Sequence, residues 1–203
     1  MQKFLEKNSI WFSTVVGLSV AVFTIVNWRS MPMTQRLAAL YFIAISVHEW
    51  EEMRFPGGFV DMVLHGIGFR LKNEGIAKLI LFALEMFVAF VPIFFPGLVW
   101  MCCAPLLLGF VETIAHLAAT RMNRSTKFYS PGMLTALFVM LPISIYGMIY
   151  IVKSGLMPPI YWLYSALWLF VPVVIGQSAI VISNGMKYGE FINNARKALF
   201  GKK

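Results

Sequence analysis

Apolar runs long enough to cross a bilayer recur along this chain, and they constrain its fold more than any other feature. A spanning helix needs about 20 mostly apolar residues. Six segments qualify: Ile10 to Trp28, Gln35 to about Met53, Ile76 to about Phe95, Gly97 to Ala119, a run after Pro131-Gly132 ending near Val152, and Pro158 to about Ser183. Hydrophobic residues are 59% of the 203 and charged residues 13%. Mean hydropathy is +0.75. Too few polar side chains exist to coat a water-facing surface, so lipid must coat it. The expectation is an all-α fold: a polytopic transmembrane helical bundle of about six spans, forming a single domain over residues 1–203.

Two further segments read as interfacial. Between the second and third runs, Gly57 to Lys72 places Phe59, Val63, Ile67 and Leu71 four residues apart. That spacing suits an amphipathic helix lying in the interface, or a short re-entrant piece. The tail from Asn184 mixes Tyr188, Phe191, Ala195, Leu199 and Phe200 with basic residues and suits the first of these roles. Lys3 and Lys7 before the first apolar run resemble a signal sequence, but no small-residue cleavage site follows, so the run is read as a retained first span.

Net charge is +8. The basic residues lie between the apolar runs, which is a topology signal rather than a nucleic-acid footprint, and no nucleic-acid partner is expected. With six spans, fourteen of the seventeen Lys and Arg fall on one side: Lys3, Lys7, Arg54, Arg70, Lys72, Lys78, Arg121, Arg124, Lys127, Lys187, Arg196, Lys197, Lys202 and Lys203. Only Arg29, Arg36 and Lys153 fall on the other. That asymmetry predicts cytoplasmic N- and C-termini, with membrane lipid as the surrounding partner. Cys102 and Cys103 are adjacent within an apolar run and read as packing residues.

Candidate chemistry lies in His48-Glu49-Trp50-Glu51-Glu52. On a helix His48, Glu51 and Glu52 share one face, with Glu49 at its edge. Glu112 and His116 form an i, i+4 pair, and Asp61 and His65 form another. Every histidine thus has a carboxylate one helical turn away. Taking Arg54 and Arg121 as the cytoplasmic ends, His48 and His116 lie about 9 and 7.5 Å inside them. Glu85 lies about 13 Å in from the same face. Four elements are therefore expected to converge on one site.

Charged groups in a bilayer cost at least ~2.5–3.5 kcal/mol, and neighbouring carboxylates repel. A divalent cation removes both problems, and imidazole plus carboxylate suits zinc, iron or manganese. The expected ligands are His48, Glu52, Glu112 and His116. Glu51 is expected as a further ligand or as the general base for an activated water. Tyr129, just before the fifth run, is expected to orient substrate or stabilise developing charge. Glu85, Asp61, His65, Pro131 and Gly132 are possible additional members. Each edge carboxylate or histidine also has an interfacial or ion-paired reading.

His48-x-x-Glu51-Glu52, His116 and Tyr129-x-Pro131-Gly132 together resemble the HXXEE-motif family. These are small, mostly bacterial, integral membrane proteins whose function is not established. The resemblance spans residues 48 to 132. It implies that His48, Glu51, Glu52, His116, Tyr129, Pro131 and Gly132 share a site, and it implies a bacterial inner membrane. Three functions are compatible with the residues. The first is a metal-dependent, hydrolytic membrane enzyme acting on an amphiphilic or lipid-linked substrate at the cytoplasmic side. The second is a proton-coupled or cation transporter. The third is a structural membrane protein with a satisfied polar network. No internal repeat is present and the site lies off-centre, which disfavours a transporter. Oligomeric state is not legible.

Overall fold

A computed structural model describes residues 2–123 and 126–201, with the side chains of residues 2–7 left aside. Met1, Arg124, Ser125, Lys202 and Lys203 lie outside the described residues, so the topology signals at Arg124, Lys202 and Lys203, and the side chains of Lys3 and Lys7, are not described. The described residues are helical and contain no strand. Their eight helices are α1 (Gln2–Asn27), α2 (Met33–Met53), α3 (Phe59–Ile67), α4 (Glu74–Phe94), α5 (Val99–Met122), α6 (Met133–Lys153), α7 (Pro159–Ser183) and α8 (Tyr188–Phe200).

Five of them are long and apolar enough to cross a membrane: α4 to α7, and α1 over Asn8–Asn27. They mark the chain as a membrane protein. Their outer faces carry large exposed apolar side chains such as Val22, Ile25, Ile114, Phe138 and Ile175. Such a belt is tolerable only in lipid. The sixth expected span, α2, has 21 residues but falls short on composition, because its last turns carry His48, Glu49, Glu51 and Glu52. The physical reason is its position. α2 packs against α1, α5, α6 and the end of α4, and Leu37, Tyr41 and Phe42 are at most 1% exposed. A helix wrapped by other helices need not be apolar towards lipid.

Helices in lipid associate through close packing and interhelical hydrogen bonds rather than through the hydrophobic effect. Both are present. Gly109 on α5 lets Tyr41 of α2 and Ser144 of α6 approach its backbone so closely that a Cβ would clash with Ser144 and press on Tyr41. Trp50 Nε1 of α2 donates to Thr14 Oγ1 of α1 at 2.8 Å, and Gln35 Nε2 donates to the Ile93 carbonyl at 2.9 Å. Such bonds are worth about 0.6 kcal/mol each on average.

α4 and α6 each contain one π-helical turn, Met86–Phe90 and Ala136–Met140. Both turns end just before a proline, Pro92 and Pro142. Proline lacks an N–H and its ring crowds the preceding turn, which favours this widening. Both segments expected as short amphipathic helices are helical, with one adjustment. α3 stops at Gly68, whose φ is +72°, so Leu71 lies beyond the helix. α3 packs on α8, and Ile67, Phe69 and Phe191 form one buried cluster there with Val181 from the end of α7. Together they cover the end of the bundle where α2 and α5 bring their histidines.

Candidate metal centre

The last two turns of α2 and the last turns of α5 face each other. Helical periodicity places His48 and Glu52 on one stripe of α2, and Glu112 and His116 on one stripe of α5. Glu52 Oε1 lies 3.6 Å from His48 Nε2 and 3.2 Å from His116 Nε2. The two rings meet edge to face with centroids 4.9 Å apart. His116 is fully buried and His48 is 3% exposed. Phe59, the first residue of α3, lies over His116 at 4.4 Å between ring centroids.

The tautomers follow from the neighbouring hydroxyls. Thr135 Oγ1 has the Glu51 Oε2 acceptor at 2.6 Å and the Gly132 carbonyl at 3.1 Å, which assigns to His48 the tautomer whose Nδ1–H donates to it at 2.8 Å. Ser130 Oγ donates to the His116 carbonyl at 2.9 Å, so it accepts from His116 Nδ1–H at 3.2 Å. In these tautomers both Nε2 atoms carry lone pairs, at 3.6 and 3.2 Å from Glu52 Oε1. His116 Nε2 is buried without a hydrogen bond. Three electron-pair donors facing one another in a buried place repel unless a cation or proton sits among them. One ligand atom from each of His48, Glu52 and His116 lies within 4.8 Å of the others, so the three could hold a metal ion. Contacts from Nδ1 to hydroxyls are of the kind that would orient imidazoles around a metal ion.

Gly132 closes the site from the side. Its φ is +95°, which favours glycine. A Cβ there would strike His116 Cε1 and come within 2.8 Å of His48 Cε1 and 2.9 Å of Glu52 Cγ. Gly132 is thus needed for both backbone angle and space. Pro131 is buried beside it.

Other expected members are placed differently. Glu51 does not face the histidines. Its carboxylate accepts from Tyr129 Oη at 2.9 Å, Leu134 N at 3.1 Å, Thr135 N at 2.8 Å and Thr135 Oγ1 at 2.6 Å. Four donors occupy its lone pairs, two of them amides at the start of α6, where a carboxylate is favoured. These bonds hold the α6 terminus and Thr135 in place, and they engage the oxygens of the residue expected as a further ligand or general base. Tyr129 donates to Glu51 and does not reach the ligand cluster. Burial and the Glu51 carboxylate push its phenol well above the usual range. Glu112 approaches His116 Nε2 at 3.7 Å but stands outside the close three.

Glu85 is not part of this group. It belongs to a separate one on another face of α2, where Ser13 Oγ lies 2.9 and 3.0 Å from its two carboxyl oxygens. Glu49 is within hydrogen-bonding reach of both Ser13 and Glu85. The expected convergence of four elements therefore resolves into two polar groups flanking α2. Asp61 and His65 are exposed on α3 and form no ion pair with each other. Thr135 and Ser130 are site residues that the sequence does not single out. Ser130 lies inside the Tyr129-to-Gly132 motif, and Thr135 follows Gly132 by one helical turn.

No curated protein and no solved structure matches the chain. Residues 39–147, more than half of it, match a family described as protein of unknown function with HXXEE motif. That stretch contains every residue of the cluster and the hydroxyls that orient it. The chain belongs to the HXXEE-motif family.

Proposed function

We propose that the protein is a metal-dependent membrane enzyme that hydrolyses an amphiphilic or lipid-linked substrate at the cytoplasmic face of the membrane. One observation carries the reading: one ligand atom each from His48, Glu52 and His116 converges within 4.8 Å, and His116 Nε2 is buried there without a hydrogen bond. His48, Glu52 and His116 would hold the ion, and zinc, iron or manganese suit this ligand set. When bound, such an ion would polarise an acyl or phosphoryl oxygen and make water acidic. Three protein ligands leave room for a substrate, the pattern of catalytic rather than structural sites.

The chain's own residues supply the rest. Thr135 and Ser130 fix the two rings through their Nδ1–H groups. Glu51 holds Thr135 and is itself held by Tyr129. Hydrolysis requires a proton to leave water and reach the departing oxygen. Glu112, 3.7 Å from His116 Nε2 and outside the close cluster, would carry it. The test is incubation of the purified protein with an extracted membrane lipid fraction, with products followed by mass spectrometry. The expected result is a water-soluble product that disappears with chelator, returns with added metal, and is absent in Glu52→Ala. An unchanged lipid fraction under every condition contradicts hydrolysis.

A second reading rests on the Ser13, Glu49 and Glu85 group, which joins α1, α2 and α4 within the apolar region. Paired carboxyls there suit proton-coupled transport. Proton uptake by proteoliposomes that is lost in Glu85→Gln supports it, and uptake unaffected by that change removes it.

A further inference from the structure

A cavity of about 290 Å³ lies among α1, the end of α2, α3 and the start of α4, and Glu52 forms part of its wall. A ligand of the histidine cluster thus borders an open space large enough for a small headgroup. The wall is of two kinds. Arg54, Asp61, Glu74 and Lys78 carry charge, and Ile10, Ala77 and Leu81 are apolar. Leu81 is seven residues beyond Glu74 on α4, about 10 Å further along the helix. The cavity thus runs from a charged end at the interface toward the apolar belt.

The charges are not equivalent. Lys78 and Glu74 pair on one turn of α4 at 3.5 Å and largely neutralise each other. Arg54 and Asp61 are exposed, share the same wall, and form no ion pair with each other or with any other described residue. Two unpaired charges of opposite sign beside an apolar channel match a zwitterionic headgroup. A phosphate would meet the guanidinium, which binds it through two parallel hydrogen bonds. An ammonium would meet the carboxylate. The apolar end would then take the first carbons of an acyl chain.

We propose that this cavity binds the headgroup of a zwitterionic phospholipid, with the phosphate at Arg54 and the amine at Asp61, and presents the bonds next to the phosphate toward Glu52. The proposal names the substrate class for the hydrolytic reading and rests on that reading only for the step after binding. Binding itself requires no metal chemistry.

The test uses the full chain in a maltoside detergent and two probes, dihexanoyl phosphatidylethanolamine and dihexanoyl phosphatidylglycerol, titrated by calorimetry. Metal content is measured on the same samples. Wild type is expected to prefer phosphatidylethanolamine. Arg54→Gln is expected to weaken both probes by about tenfold or more, the worth of one charge-assisted contact. Asp61→Asn is expected to weaken phosphatidylethanolamine only and so to abolish the preference. Both residues are exposed and unpaired, so both variants are expected to keep the fold and the metal content of wild type. Equal affinity for the two probes in wild type, or affinities that neither substitution changes, overturns the proposal. A preference for phosphatidylethanolamine that follows Arg54 and Asp61 in samples without metal supports the headgroup site and removes the hydrolytic reading alone.

Discussion

Replacing Gly132 by alanine is the most informative single change in this molecule. The residue sits at φ +95°. An L side chain in that region costs about 1–2 kcal/mol in backbone strain. The new methyl would also press on His116 Cε1, on His48 Cε1 at 2.8 Å and on Glu52 Cγ at 2.9 Å. Overpacking of this kind costs about 1–3 kcal/mol. The two together amount to about 2–5 kcal/mol, and the second part falls on the three side chains that would hold the ion. Gly58 separates the contributions. Its φ is +87° and nothing lies within 4 Å of the point where a methyl would stand, so Gly58→Ala carries the backbone cost alone. The assay is metal affinity by competition with a chromophoric chelator, with thermal unfolding measured in parallel. Gly132→Ala is expected to lose about ten- to a hundredfold in affinity, as supporting contacts around metal ligands usually do. Gly58→Ala is expected to lose stability and keep affinity. Equal metal affinity in the two variants would refute the placement of Gly132 against the ligands.

Other expectations come from the same geometry. Thr135→Val keeps the shape and removes the acceptor for His48 Nδ1–H, so metal affinity is expected to fall about tenfold with the fold retained, measured by the same competition. Glu51→Gln turns an acceptor of four hydrogen bonds into a group that presents its own N–H to donors. The variant is expected to lose about 2 kcal/mol of stability, seen as a lower unfolding temperature, along with metal affinity. Protons compete with the ion for the imidazoles and the carboxylate, so affinity is expected to rise with pH, and an affinity that falls as pH rises contradicts the ligand set. Tyr129 is held above its ordinary range by burial and by Glu51. The protonated phenol therefore favours the folded form, and that stability is present below the ordinary phenol range and lost as pH rises through the raised value. The phenolate absorbance of wild type minus Tyr129→Phe is expected to stay flat up to about pH 10.

The sequence makes the bundle and the ligand cluster legible for reasons that particular residues show. Apolar runs identify the lipid-facing helices because lipid contact demands them. α2 is the exception, since a helix shielded on its sides escapes that demand and can carry four ionisable groups in its last turns. His48, Glu52 and His116 are found because i, i+4 spacing and depth survive folding. The division of labour between Glu51 and Glu52 is not legible. They stand about 100° apart on α2, and only the position of α6 decides which one meets its amides. That position depends on the left-handed turn at Gly132, a tertiary fact. The same turn brings Thr135 and Ser130 to the imidazoles, and neither has a spacing signal of its own. Depth alone suggests Glu85 as a site member, and depth says nothing about azimuth; its partner is Ser13 on α1, on another face of α2.

Whether His48, Glu52 and His116 hold a metal ion is tested most directly by elemental analysis. The sample is protein purified in detergent without chelator, beside a His48→Ala, His116→Ala double variant shown to fold. The expected result is about one zinc, iron or manganese per chain in wild type, lost in the variant, since the three side chains form one site. Wild type without metal, or metal that persists in the variant, would contradict the assignment.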